Sequence, residues 1–336
     1  MRAMVLRAIS ALEMKDVPAP AARAGELLVR VTACGVCRTD LDLYEGRLVP
    51  PRYPVIPGHQ VVGSVAQLGA GVHDFHVGDR VGIAWIHSAC GLCARCVAGE
   101  ENLCAKFVST GCDANGGYAE FATVPAAFAH GIPIAIDDAQ AAPLLCAGAI
   151  GWRALRLTGL RDGDALGLTG FGASAHLVLQ FVRERYPRSP VFVFARSAGE
   201  QAFARELGAS WAGDTADAPP QPLDAIIDTT PAWKPVVEAL AQLRPGGRLV
   251  INAIRKEPKD QPELQRIDYA THLWMEREIK SVANVTRADV RETLEWASQT
   301  GLRPTVETLP LERATDTLAS MRGATAIHGA KVLRVS

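Results

Sequence analysis

The sequence has no run of about 18 apolar residues, the length a helix needs to cross hydrocarbon, although 48% of its residues are apolar. It has no block of basic residues either, and 35 Lys and Arg stand against 36 Asp and Glu for a formal charge of -1. Nucleic acid and anionic membrane are therefore not expected partners, and small solutes are. Internal repeats and low-complexity tracts are missing apart from the proline-rich loop Ala218-Pro219-Pro220-Gln221-Pro222. The opening residues Met1 to Arg7 alternate like a strand and lack the apolar stretch and small-residue cleavage site of a secretory leader, so the expected compartment is the cytoplasm. With 336 residues, two domains are expected rather than one core.

What is abundant is cysteine, eight residues at positions 34, 37, 90, 93, 96, 104, 112 and 146. In a reducing compartment such crowding points to metal rather than disulfides. Cys90, Cys93 and Cys96 recur at every third position and Cys104 follows after seven intervening residues, a spacing that can wrap a tetrahedral ion completely. A closed shell of four sulfurs leaves no place for substrate, which makes it a structural zinc site. A second set is Cys37 in Cys34-Gly35-Val36-Cys37, His59 in Pro57-Gly58-His59-Gln60, and Cys146 in Pro143-Leu144-Leu145-Cys146. Two thiolates and an imidazole supply three ligands and leave a fourth position open for chemistry, so this set reads as a catalytic zinc site. The plainer reading of Cys146 is a small core residue in an alanine-rich stretch.

The first 150 residues or so read as short strands broken by Gly, Pro and Asp, among them Leu27–Val31, Gln60–Val65 and Asp79–Ile83, hence a mostly β domain. From about 151 the texture changes to alternation. The apolar strand Ala165–Thr169 runs into Gly170-Phe171-Gly172-Ala173-Ser174-Ala175, which opens a helix, and Val191–Phe194 is the next strand. This is a βαβ unit with a GxGxxA turn, whose backbone N–H groups at the helix start hold a pyrophosphate. A helix from Pro231 to the Pro245-Gly246-Gly247 turn and a strand Arg248–Asn252 continue the pattern, giving a doubly wound parallel sheet. Thr169, Gly170, Gly172, Ala173, Ala175 and Asn252 form the candidate cofactor set. The second strand ends Phe194-Ala195-Arg196-Ser197 with no carboxylate to take a ribose 2′-hydroxyl, whereas Arg196 and Ser197 suit a 2′-phosphate; NADP(H) is favoured over NAD(H).

Taken in order, these motifs resemble the zinc-dependent alcohol dehydrogenases of the medium-chain dehydrogenase/reductase superfamily, especially the bacterial type related to yeast alcohol dehydrogenase, over essentially the whole chain. The resemblance implies an α/β protein in which a GroES-like, mostly β catalytic domain (1–150 and 286–336, with a structural zinc lobe at about 88–107) is joined to a Rossmann domain (151–285), with the active site in the cleft between them. It implies two Zn2+ per chain, alcohol and aldehyde substrates, hydride exchange with NAD(P), and a homo-oligomer, dimer or tetramer. Thr39 matches the hydroxyl that hands off the substrate proton, with a helix cap as the plainer alternative. Arg38 and Arg287 match the pair that flanks the pyrophosphate.

Departures from the family's pattern shape the expectations. Asp42 stands where a relay His is common, so a carboxylate is expected to help the proton out. Gln60 replaces a Glu beside the ligand His and removes a negative charge near the metal. Leu48 stands where a pocket Trp is found in yeast-like enzymes, Trp85 matches another wall residue, and Ile150 replaces the Thr or Val beside the nicotinamide. Losing an indole enlarges the pocket, so primary alcohols larger than ethanol, medium-chain or aromatic, are expected. Two other readings are a zinc-independent quinone or enoyl reductase of the same superfamily, which predicts neither cysteine set, and an NADP(H)-binding sensor impaired in catalysis, motivated by Asp42 and Gln60.

Overall fold

The computed structural model describes residues 1–322 and 329–335. The described chain divides into two compact units, one holding Met1–Ala149 and the chain from Asn284 onward, the other holding Ile150–Ala283.

The first unit is built on a seven-stranded sheet around the long strand Glu26–Val36. Its burial alternates until Ala33 and is continuous from there to Val36. Val61–Leu68 and Phe121–Pro125 pair with it antiparallel, Arg80–Ile83 and Ala129–Gly131 continue the sheet, and Ala330–Arg334 with Val306–Pro310 complete the other edge. Immediately after this strand comes the helix Arg38–Tyr44, in which Asp40 reaches back to accept from the Cys37 N–H at 2.8 Å. The four-cysteine segment is a lobe with little core of its own: the short helix Ala94–Val97 buries no residue, and Leu92 is 87% exposed.

The second unit carries six parallel strands in the spatial order Trp211–Gly213, Val191–Phe194, Leu166–Thr169, Leu223–Asp228, Leu243–Ile251, Glu278–Ser281. This is a Rossmann order, and the strand sequence reverses between Leu166–Thr169 and Leu223–Asp228, where such sheets bind nucleotides. The two central segments Leu166–Thr169 and Val191–Phe194 are buried at every position, as strands covered on both faces must be. Val236, Ala239 and Leu240 of the helix Lys234–Leu240 pack with Phe192, Phe194, Ile226 and Leu249 in one core.

One segment departs from the expectation. The helix after Pro231 ends at Leu240, and the next strand begins at Leu243 and runs through Pro245-Gly246-Gly247. Pairing with Leu223–Asp228 slips in register between Leu223 and Ala225, and Gly246 adopts φ +74°, so the glycines form an irregularity inside the strand instead of a turn before it. No helix among the described residues is long and apolar enough to cross a membrane.

Candidate active site and metal centres

Three separate elements bring the first cluster together. Cys37 caps the helix Arg38–Tyr44, and His59 lies in the turn before Val61–Leu68. Cys146 sits in a π-helical turn, Leu144–Gly148, between the helices Asp138–Pro143 and Ala149–Thr158. Pro143 explains that turn: it has no N–H to continue the helical ladder, and the wider turn that follows re-aims the cysteine. The ligand atoms of Cys37, His59 and Cys146 lie within 4.8 Å of one another.

His59 is 1% exposed, and its two ring nitrogens differ. Nδ1 lies 3.1 Å from Asp40 Oδ1, while Nε2 is buried with no hydrogen-bond partner. The carboxylate accepts, so the ring proton belongs on Nδ1 and the lone pair of Nε2 is left for an ion. Asp40 is itself held: its Oδ2 accepts from the Cys37 N–H and, at 3.1 Å, from the Tyr118 hydroxyl. Burial, then Asp40, push the Tyr118 pKa well up, so the phenol stays a donor. The ring of Tyr118 lies across Gly58, which has φ +94° and where a Cβ would approach that ring to 2.4 Å. A residue other than Gly would therefore displace either the ring or the backbone beside His59.

The electrostatics of this cluster call for a cation. Burial works to lower the His59 pKa, yet Asp40 and the Cys37 sulfur raise it to about 10. The hydrogen bond from Cys146 holds the Cys37 thiol well below its ordinary value. Without metal the pocket draws in a proton; a dication with two thiolates meets the same demand.

The second cluster is also assembled. The sulfurs of Cys90 and Cys96 are 3.8 Å apart, those of Cys93 and Cys104 3.8 Å, and those of Cys104 and Cys90 3.6 Å. A tetrahedron with Zn–S near 2.3 Å has edges of about 3.8 Å. All eight cysteines are free thiols. Backbone N–H groups of Cys93 and Lys106 donate to Cys90 and Cys104, bonds that suit thiolates.

Around the first cluster, Thr39 is buried with its Oγ1 3.6 Å from the Cys37 sulfur, and it lies within the helix instead of capping it. The rings of Trp85 and His59 meet edge to face, with centroids 4.9 Å apart and planes at 80°. Leu48 is half-buried, and its N–H donates to Asp42 O. Ile150 follows Cys146 by four residues in the helix Ala149–Thr158. Gly35, on the strand before Cys37, leaves the space that Gln60 fills; a Cβ there would meet the Gln60 carboxamide at 2.9 Å.

In the second unit Gly170 has φ +78°, and a Cβ would meet Thr229 Oγ1 at 2.8 Å, so Gly is required. Gly172 begins the helix Ala173–Arg185 with no side-chain cap, and a Cβ built on it meets nothing within 4 Å. Uncapped N–H groups facing open space are what a pyrophosphate needs. Ala175 is buried one turn in, and Asn252 donates to Ser174 Oγ at 3.1 Å.

Four of the expected site residues are engaged by partners within their own unit. Asp42 is 2% exposed and its carboxylate is bound at 2.6 Å by Arg47, on the loop to Leu48. Arg287 binds Glu101 (2.8 and 3.0 Å) and Ala127 O (3.2 Å) through its guanidinium. Ser197 caps the helix Ala198–Glu206, accepting from Glu200 N and donating to its carboxylate at 2.9 Å. Thr169, directly before Gly170, donates its hydroxyl to buried Asp228 at 2.6 Å. Arg196 and Arg38 are exposed, the latter donating to Met321 O.

Asp40, Tyr118, Glu101, Asn284 and Lys256 were not singled out by sequence. Asp40 carried a signal, an acid three residues after the cap residue. The others are joined to their partners only by the fold.

Comparison with known proteins bears on this geometry. Residues 23–134 match the family "Alcohol dehydrogenase GroES-like domain". The chain is 47% identical over 324 residues to "Probable alcohol dehydrogenase AdhA" of Mycobacterium tuberculosis, covering 95% of this chain and 91% of that protein. It is 33% identical over 334 residues to an alcohol dehydrogenase of Geobacillus stearothermophilus, covering 97% and 96%. Among solved structures, a cinnamyl alcohol dehydrogenase of Sorghum bicolor superposes with a TM-score of 0.87 at 26% identity, covering 99% of this chain and 97% of the other.

Proposed function

The chain belongs to the zinc-dependent alcohol dehydrogenases of the medium-chain dehydrogenase/reductase superfamily and is an NAD(P)-dependent oxidoreductase, and on that premise we propose that it interconverts medium-chain or aromatic primary alcohols with their aldehydes at Cys37, His59 and Cys146. The observation that carries this reading is the orphaned, buried Nε2 of His59 beside two sulfurs. Zinc there supplies Lewis acidity toward the alcohol or carbonyl oxygen, and the nicotinamide supplies the hydride exchange.

The chain's own residues do the rest. Asp40 fixes the ring of His59 through Nδ1 and so keeps Nε2 directed at the metal position. The two thiolates neutralise a dication, and Gln60 adds no charge. Thr39 Oγ1, next to the Cys37 sulfur, accepts the substrate's proton as it releases its own onward to solvent, so the hydroxyl relays the proton and does not store it. Trp85, Leu48 and Ile150 are the proposed pocket residues. Cys90, Cys93, Cys96 and Cys104 hold a second, structural zinc.

The N–H groups opened by Gly170, Gly172 and Ala173 bind the pyrophosphate, with Arg38 as its cation and Asn252 beside the turn. Arg196 binds a 2′-phosphate, which favours NADP(H) and aldehyde reduction. No observation favours the zinc-independent reductase, since both metal clusters are assembled.

The test is a metal count with a substrate panel run on both cofactors. Two zinc per chain and a higher kcat/KM for hexanol and benzyl alcohol than for ethanol are expected. A higher value for ethanol would refute the enlarged pocket, and full turnover without metal would refute the mechanism.

A further inference from the structure

Asn284 stands where the chain re-enters the first unit, ahead of the helix Arg287–Thr300, and holds a left-handed φ of +52°. Asn tolerates that conformation better than most residues because its short polar side chain bonds locally. Here its carboxamide is engaged at both ends. Nδ2 donates to Asn102 O at 3.2 Å, and Oδ1 accepts from Trp85 Nε1 at 2.9 Å.

The two partners belong to different parts of the unit. Asn102 is buried in the 3-10 turn Glu101–Leu103, which leads directly into Cys104 of the four-sulfur lobe. Trp85 is the residue whose ring packs edge to face with the ligand His59. One side chain thus connects the lobe to the imidazole: Asn102 to Asn284, Asn284 to Trp85, Trp85 to His59. The anchor is firm, because Arg287 N also donates to Glu101 Oε1 at 2.9 Å and its guanidinium clasps the same carboxylate.

We propose that Asn284 is a positioning residue. It holds the indole of Trp85 in one rotation against His59 and so sets the width of the substrate side of the metal site, using the four-cysteine lobe as its fixed point. The physical reason lies in the indole. Its N–H is the ring's sole donor and lies far from the Cβ, so a bond there fixes the rotation that packing alone leaves broad. The lobe buries little apolar surface, so its position depends on its own metal and on the grip of residues 284–287. Loss of that metal would then reach the pocket through Asn284. The inference rests on reading Cys37, His59 and Cys146 as the catalytic site.

The experiment compares Asn284→Gly, Asn284→Asp, Trp85→Phe and Asn284→Gly/Trp85→Phe with the zinc-loaded wild-type enzyme. Gly keeps the left-handed backbone and removes both bonds, whereas Asp still accepts from Trp85 but cannot donate to Asn102 O. The readouts are the ratio of kcat/KM for benzyl alcohol over ethanol and the emission of Trp85, taken as the difference between each protein and its Trp85→Phe counterpart.

Asn284→Gly is expected to move the ratio about fivefold, the worth of one hydrogen bond, and to shift the Trp85 emission. Trp85→Phe should move the ratio equally, with no further change in the double variant, and Asn284→Asp, which keeps the bond to Trp85 but loses the one to the lobe, should move it in the same direction by less than Asn284→Gly. A ratio within twofold of wild type in Asn284→Gly, an unmoved Trp85 emission, or additive effects in the double variant would overturn the proposal. Should Asn284→Gly fail to fold, Trp85→Phe against Asn284→Asp decides it: a shifted ratio in the first and a smaller shift of the same sign in the second supports, and any other pair refutes. If the wild-type protein turns over no alcohol while Asn284→Gly still shifts the Trp85 emission, the functional reading fails and the positioning role stands.

Discussion

Replacing Lys256 by Met should remove a large share of the second unit's stability. The ammonium of Lys256 is 8% exposed, and it meets the fully buried carboxylate of Asp228 while donating to Thr230 O and Ala232 O at 2.9 Å each. Met keeps most of the stem and removes every donor. Asp228 is left with the hydroxyls of Thr169 at 2.6 Å and Thr230 at 2.8 Å. Breaking one side of a buried pair costs about 3–5 kcal/mol; two surviving hydroxyl donors place this case near the lower end, about 3 kcal/mol. At roughly 2–4 °C per kcal/mol, Tm should fall by about 6–12 °C. The assay is calorimetry at fixed zinc and without nucleotide, so that cofactor binding does not mask the loss. Adding Asp228→Asn removes the stranded charge and should recover at least about 1 kcal/mol as coupling. A Tm within about 2 °C of wild type, or a double variant less stable than the sum of the singles, would refute the reasoning.

Three further outcomes follow. His59→Ala should abolish alcohol turnover while nucleotide binding, followed by cofactor fluorescence, persists; loss of both would contradict the division of roles between the units. Cys104→Ser should lower the zinc content by one per chain and depress Tm, because a closed site contributes folding energy; an unchanged zinc content argues against a structural metal. Burial depresses the pKa values of His130 and His176 to about 4, against about 6.5 in the unfolded chain. The unfolded state therefore binds more protons between those values, and stability should be full above about pH 6.5 and fall as pH drops toward 4. His176→Leu should flatten that part of the Tm-against-pH curve, and a curve as steep as wild type would exclude His176 as a contributor.

The chemistry-bearing types were legible in the sequence, and their surroundings were not. Cysteine spacing and the glycine turn are local signals, so the four-cysteine cluster and the helix after the glycine turn could be read from nearby residues, whereas Cys37, His59 and Cys146 were legible only as three separate short motifs. The engagement of Arg287 by Glu101 and of Thr169 by Asp228 could not be read, because only the fold supplies the partner, whereas Asp42–Arg47 and Ser197–Glu200 are pairs five and three residues apart. Polar residues near a site are ambiguous in sequence for this reason, since a satisfied ion pair and a free ligand group have the same spelling. The π turn at Cys146 was hidden as well, although Pro143 marks where the helical ladder must fail.

The strand that delivers Cys37 obtains one of its three neighbours from Ala330–Arg334, Leu333 lying opposite Cys34. A ribosome emits those closing residues only after all of Ile150–Ala283 has emerged. The second unit can therefore form during translation, while the first waits with part of its central strand unpaired until Ala330–Arg334 emerges. Loss of Ala330–Arg334 would leave Ala33–Val36, which lead into Cys37, without that neighbour.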